Sequence, residues 1–391
     1  VVWSLKRHLA DESKSLAKGF LSAVTDIRAD GQNVIIEHAT GDADIPAILG
    51  VYQLVIIPED WTDFSTIAGT GPYRQVSYEP GGRFVGERNP NYWKSDRAWF
   101  DRVEMTTIPD PQAREQALID GAVDAIDNVN FLTFDRYRDN PDFTALETKG
   151  GRFITMVMDV RSAPFDDSNV RNAVKYAVAR QDIIDKVIGY AVMGNDHPVP
   201  PSDPFFHTEL PQRPFDPKKA RWHLRQAGID RLNINLSVSE TAFTGGVDTG
   251  ILMQDTAFLS GIDLNITREK DDGYWSNVWM KKPFVQSFWT LRPTPAMMYT
   301  VAFACGSPSA EAFWCDDRAT SALTAAKTEP DFDKRKQHFW DLQELTAAEG
   351  GNIIPAFISD LDIYSKKLGG VQSDGVARMM GFKLAERCWF A

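Results

Sequence analysis

Glycine, arginine and aromatic residues crowd the stretch GTGPYRQVSYEPGGRFVGERNPNYWK, from Gly69 to Lys94. That mixture invites a phosphate site, since glycine lets backbone amides approach an anion and arginine supplies charge. The spacing argues against it. A phosphate-gripping loop sets four residues between its first glycine and a Gly-Lys-Ser/Thr that opens a helix. GTGPYRQV has neither feature, and it lacks the spacing of a dinucleotide fingerprint. Tyr73 to Tyr78 reads as a strand, Pro80-Gly81-Gly82 supplies a hairpin tip, and Arg83 to Arg88 returns. A β-hairpin is predicted here, as frame rather than site.

Other residue types capable of chemistry are dispersed. Histidines stand at positions 8, 38, 197, 207, 223 and 338. None lies in an HExxH motif or pairs with a second ligand at metal spacing, so structural or surface roles are expected. Gly306-Ser307 lacks the second glycine of a nucleophile elbow. No catalytic constellation emerges, so neither an enzyme nor a cofactor is expected. Cys305 and Cys315 bracket the short loop GSPSAEAFW. In an exported protein that spacing suits a local disulfide worth about 2–3 kcal/mol. Two reduced core cysteines, or half of a metal site, are the other readings. Cys388 is left over.

The elements that must position such residues belong to a soluble chain of 391 residues, 43% hydrophobic and 25% charged. That length predicts two lobes. A net charge of −12 argues against a nucleic-acid or anionic-membrane surface. No stretch approaches the roughly 20 apolar residues of a membrane helix. The opening VVWSLKRHLA has no initiator Met and no signal-peptide pattern. It reads as the inside of a helix, and the expectation is a fragment lacking its N-terminal part.

The pattern along the chain is mixed α/β. Asp30-Gly31 between two apolar runs predicts a hairpin. Val170, Ala173, Val174, Ala177 and Val178 give one face of a helix after Ser168, with Gly189 as its stop. Asp216-Pro217 opens another helix, ended by Gly228. Leu232 to Val238 and Ile262 to Ile266 alternate as strands, with a helix from Gly250 to Ser260 between them. Phe339, Leu342 and Leu345 mark a helix ended by Gly350-Gly351, and IIPAF is the next strand. HPVPPSDPFF, from His197 to Phe206, is expected to be a rigid surface loop.

Taken in order, these segments resemble the peptide/nickel-type solute-binding proteins of ABC importers. GTGPYRQVSYEPGGRFVGERNPNYW resembles that family's signature hairpin, and VVWSLKR the helix upstream of it. RVEMTTIPDPQAREQALIDGAVDAID resembles its strand and helix, and FDDSNVRNAVKYAVARQDIIDKVIGYA its long helix pair. HPVPPSDPFF resembles its proline loop, FDPKKARWHLRQAGI its next helix, and FACGSPSAEAFWC the cysteine-bracketed loop that many members close as a disulfide. The resemblance implies a periplasmic-binding-protein-like α/β fold of the large peptide-binding class. Its two lobes would be joined by two hinge strands, near Lys149 to Arg152 and Pro355 to Ser359. Residues 1–150 plus 356–391 would form an incomplete first lobe and 151–355 the second.

By the same resemblance the protein captures a small peptide or peptide-like solute between its lobes. It would act as an extracytoplasmic, periplasmic monomer that delivers the solute to membrane permease subunits. A non-transport sensor or chaperone of the same fold is the alternative. In dipeptide-binding relatives, the strand end equivalent to QSFWTLRPTP carries an acid for the ligand's amino group. Here Trp289, Thr290 and Leu291 lead to Arg292, with no acid until Glu311. A guanidinium repels an ammonium and grips a carboxylate or phosphate. The stretch that would hold a dipeptide's carboxylate, SVSETAFTGG, offers Glu240 and Phe243 and no arginine. The candidate ligand-binding residues are Trp289, Arg292, Thr290, Phe243 and Glu240, with an anionic ligand group expected at Arg292. The competing reading turns Arg292 to solvent or onto a neighbouring carboxylate.

Overall fold

Gly69 to Lys94 forms a hairpin in a computed structural model that describes residues 1–15, 17–61, 63, 65–66, 68–374 and 377–391. The chain divides into two units. One comprises Val1–Ala39, Gly50–Lys149 and Asp360–Ala391, the other Thr40–Leu49 and Gly150–Ser359.

In the first unit, β1 (Val24–Asp30) and β2 (Asn33–His38) pair antiparallel around Gly31, whose φ of +59° suits glycine. Strands β3 (Tyr73–Tyr78), β4 (Arg83–Arg88) and β5 (Arg102–Thr106) form a three-stranded antiparallel sheet. Gly81 turns the β3–β4 tip at φ +73°. Two of the hairpin's arginines meet carboxylates of their own unit: Arg83 pairs with Glu104, and Arg88 with Asp101 at 3.0 Å. Asn89 closes the base by donating to the Gly71 carbonyl at 2.9 Å. A small core joins Leu118, Ile126, Tyr137 and Ile363. There β6 (Ala125–Ile126) pairs with Tyr364 and Ile363.

The second unit is built on a mixed sheet. Strand β7 (Phe143–Met158) enters it at Gly150, and its Phe153, Ile154, Met156 and Met158 are fully buried. Helix α1 (Ser168–Tyr176) buries Val170, Ala173 and Val174 behind an Asp167 cap on the Asn169 amide. Strand β8 is Ala191–Met193, and α2 (Pro217–Gln226) starts where Asp216 accepts from the Lys218 and Lys219 amides. Strand β9 (Leu232–Val238), α3 (Gly246–Leu259) and β10 (Ile262–Arg268) make a parallel crossover unit. Strand β11 (Phe284–Trp289) runs parallel to β9 and antiparallel to β7. Helices α4 (Pro295–Ala302), α5 (Asp317–Thr328) and α6 (Phe332–Glu349) precede β12 (Asn352–Ser365). The strand order is β10-β9-β11-β7-β12, with β8 against β12.

Three local expectations need correction. The helix after Ser168 does not run unbroken to Gly189: it stops at Tyr176 and resumes at Arg180. The buried Arg180 guanidinium donates to the Lys175 carbonyl and takes Asp196 in two bonds, at 2.7 and 2.8 Å, which fixes the break. The His197–Phe206 segment is not a surface loop. His197 and Val199 are buried, and Phe205 packs on Phe332 and Phe339. Helix α3 begins at Gly246 rather than Gly250, because Glu240 accepts from the Gly245 and Val247 amides at 2.8 and 3.1 Å.

Candidate functional site

Parallel strands β9, β10 and β11 release their following loops at one edge of the second unit's sheet, the carboxyl edge where α/β sheets receive ligands. The loop after β9 is Ser239 to Gly245. It is tied to the loop after β10 by the Ser239 hydroxyl, which donates to Asp271 at 2.7 Å. Phe243 is buried in it, and both oxygens of Glu240 are occupied by the α3 amides. Glu240 thus performs a helix-capping task that its sequence context did not reveal.

The loop after β11 carries the other candidates. Trp289 closes the strand with 8% of its surface exposed. Leu291 packs so closely on Gly151 that a β-carbon there would overlap it. Arg292 is buried and folds back over its own loop, donating from Nη1 to the Thr290 carbonyl at 3.0 Å and to the Thr290 hydroxyl at 2.8 Å. Its guanidinium carbon lies 5.8 Å from the Trp289 ring centroid, a cation–π distance. Thr294 caps α4 through the Met297 amide and donates to Asp44 at 2.6 Å, while Arg335 donates to the other Asp44 oxygen at 2.7 Å. Trp289, Thr290 and Arg292 therefore form one contact group, and Glu240 and Phe243 stand on a separate loop of the same edge.

Sequence reasoning missed what lies behind Trp289. Its indole N–H donates to Glu311 Oε1 at 3.0 Å, and the Trp279 indole donates to Oε2 at 2.6 Å. Asn352 adds a bond to Oε1 at 3.2 Å. Burial pushes the Glu311 carboxyl above the ordinary glutamate range, against the pull of these hydrogen bonds. Glu311 sits in the loop closed by the Cys305–Cys315 disulfide. The visible signal was a lone acid within that cysteine bracket; its partners come from three distant segments.

Two concavities lie elsewhere on the second unit. One of about 660 Å³ runs along α5 and α6 beside Arg318, His338 and Glu344. One of about 220 Å³ lies by Trp314 and the disulfide. Neither is lined by Trp289, Thr290 or Arg292. Among the described residues no group of three or more His, Cys, Asp and Glu side chains is placed to hold a metal.

The family model of bacterial extracellular solute-binding proteins, family 5 (middle), matches residues 1–311. The chain belongs to that family. Among curated proteins, the chain is similar to heme-binding protein A of Haemophilus influenzae, 29% identical over 212 residues. That match covers 51% of this chain and 39% of the relative, so it spans well under half of the relative's length. Among solved structures, the ABC transporter-associated periplasmic binding protein DppA from Helicobacter pylori, in complex with the peptide STSA, superposes with a TM-score of 0.86 at 20% identity. It covers all of this chain and 80% of that one. NikZ from Campylobacter jejuni, in complex with Ni(L-His), gives 0.86 at 17% identity over 98% and 83%. At these identities the superpositions establish a shared fold, that of the family 5 periplasmic binding proteins. Among the described residues no helix is long and apolar enough to cross a membrane.

Proposed function

We propose that this chain is the extracytoplasmic solute-binding component of an ABC importer, that its two units serve as the lobes of a binding protein, and that it captures a small peptide or peptide-like solute bearing an anionic group. Trp289, Thr290 and Arg292 are the central ligand-binding residues, with Phe243 and Glu240 shaping the neighbouring loop. The protein itself catalyses no reaction; binding favours a conformation that a membrane permease recognises, which requires the ligand to prefer that conformation. Family membership supports the class.

One observation carries the choice of ligand. A buried guanidinium lies on an indole face at the carboxyl edge of β11. An arginine there selects against an ammonium and for a carboxylate or phosphate, which it can hold through two parallel hydrogen bonds. Denaturing the purified protein and identifying released small molecules by mass spectrometry tests the reading. The expected compound is a small peptide-like acid. A cationic or wholly neutral solute would overturn the anionic assignment.

A further inference from the structure

Trp289 presents one face toward Arg292 while its N–H points to Glu311. Glu311 is 2% exposed, and the side chains that donate to it among the described residues, Trp279, Trp289 and Asn352, are neutral. A carboxylate withdrawn from water and met by neutral groups is costly, and packing alone gives no reason to keep it. A glutamine would avoid the charge, but its amide would set donors against an indole N–H. Two acceptor-only oxygens are what allow two indoles and an amide to converge on one point. Asn352 also donates to Thr155 on β7 at 3.3 Å, so the carboxylate ties β11 to the strands beside it and to the disulfide loop.

We infer that Glu311 is a positioning residue for the ligand site: by holding the Trp289 indole it fixes the surface on which the Arg292 guanidinium rests. The inference rests on the reading of Arg292 given above. It assigns the disulfide-bracketed loop a part in ligand affinity, although its acid does not touch the ligand.

The test uses the full chain and N-acetyl-alanyl-glutamate, an acidic dipeptide with no free ammonium. Indole N–H resonances of Trp279 and Trp289 are assigned by their loss in W279F and W289F. Both are expected downfield of ordinary indoles and to move in E311Q. E311Q and W289F should each weaken binding about fivefold, the loss of one hydrogen bond's worth of positioning. The double variant should bind no more weakly than the worse single one, because both remove the same link. R292A, measured in parallel, separates the two readings. If R292A binds tenfold more weakly and E311Q binds as wild type, the Glu311 inference falls and the Arg292 reading stands. If R292A binds as wild type, or the wild-type chain does not bind the probe, both fall. Should E311Q fail to fold, W289F decides alone, and wild-type affinity in it overturns the inference.

Discussion

Asp362, buried in the first unit, accepts the Tyr364 hydroxyl at 2.9 Å and the Met379 amide at 2.6 Å on one oxygen. Met379 begins a run of four residues at positive φ, through Phe382. Left-handed backbone costs about 1–2 kcal/mol per non-glycine residue, so the carboxylate anchors a strained turn. Burial, with Asp360 and Asp127 nearby, pushes its pKa from 3.8 up to about 7. The unfolded chain then releases this proton first, and the group's contribution to stability falls as pH rises from about 4 to about 7. Asp362→Asn keeps an acceptor for Met379 and removes the charge. Its midpoint of thermal unfolding should match wild type near pH 4 and exceed it increasingly towards pH 8; a difference independent of pH would contradict this. A second buried acid behaves oppositely. Asp196 is held charged by Arg180 and Arg213, at 2.7 and 2.9 Å. Asp196→Asn should cost about 3–5 kcal/mol in urea unfolding, because it strands two buried guanidinium groups. The sequence announced neither acid, since an aspartate in a strand or loop carries no mark of the residues that fold against it.

At the scale of elements, what was legible is what is written locally. The Asp216-Pro217 start, the Asp30-Gly31 and Pro80-Gly81-Gly82 turns, and the alternation of Leu232 to Val238 each place their element within a residue or two of the structure. What was not legible depends on distant partners. Arg180 breaks a helix for an aspartate 16 positions on, Glu240 extends α3 from outside it, and a proline-rich segment is drawn inward by Phe205 and His197. The cysteine loop lies between these cases: its spacing left three readings open, and the bond is formed across 10 positions. Replacing both cysteines by serine should lower stability by about 2–3 kcal/mol, the entropy of a short closed loop. Equal midpoints with and without the bond would show that the loop is held by packing and Glu311 instead.

For the whole molecule, the ordered series of family segments identified the fold before any coordinate, and the family match over residues 1–311 agrees with it. The ligand was less accessible. Residue types at the end of β11 pointed to Arg292, but only coordinates show the guanidinium buried on Trp289 with Thr290 as its immediate partner. The central claim is that this guanidinium receives an anionic group of the solute. Calorimetric titration of N-acetyl-alanyl-glutamate into wild type and Arg292→Ala tests it most directly. Affinity should be at least about tenfold weaker in the variant, equivalent to about 1.4 kcal/mol. Equal affinity in the two proteins would contradict it.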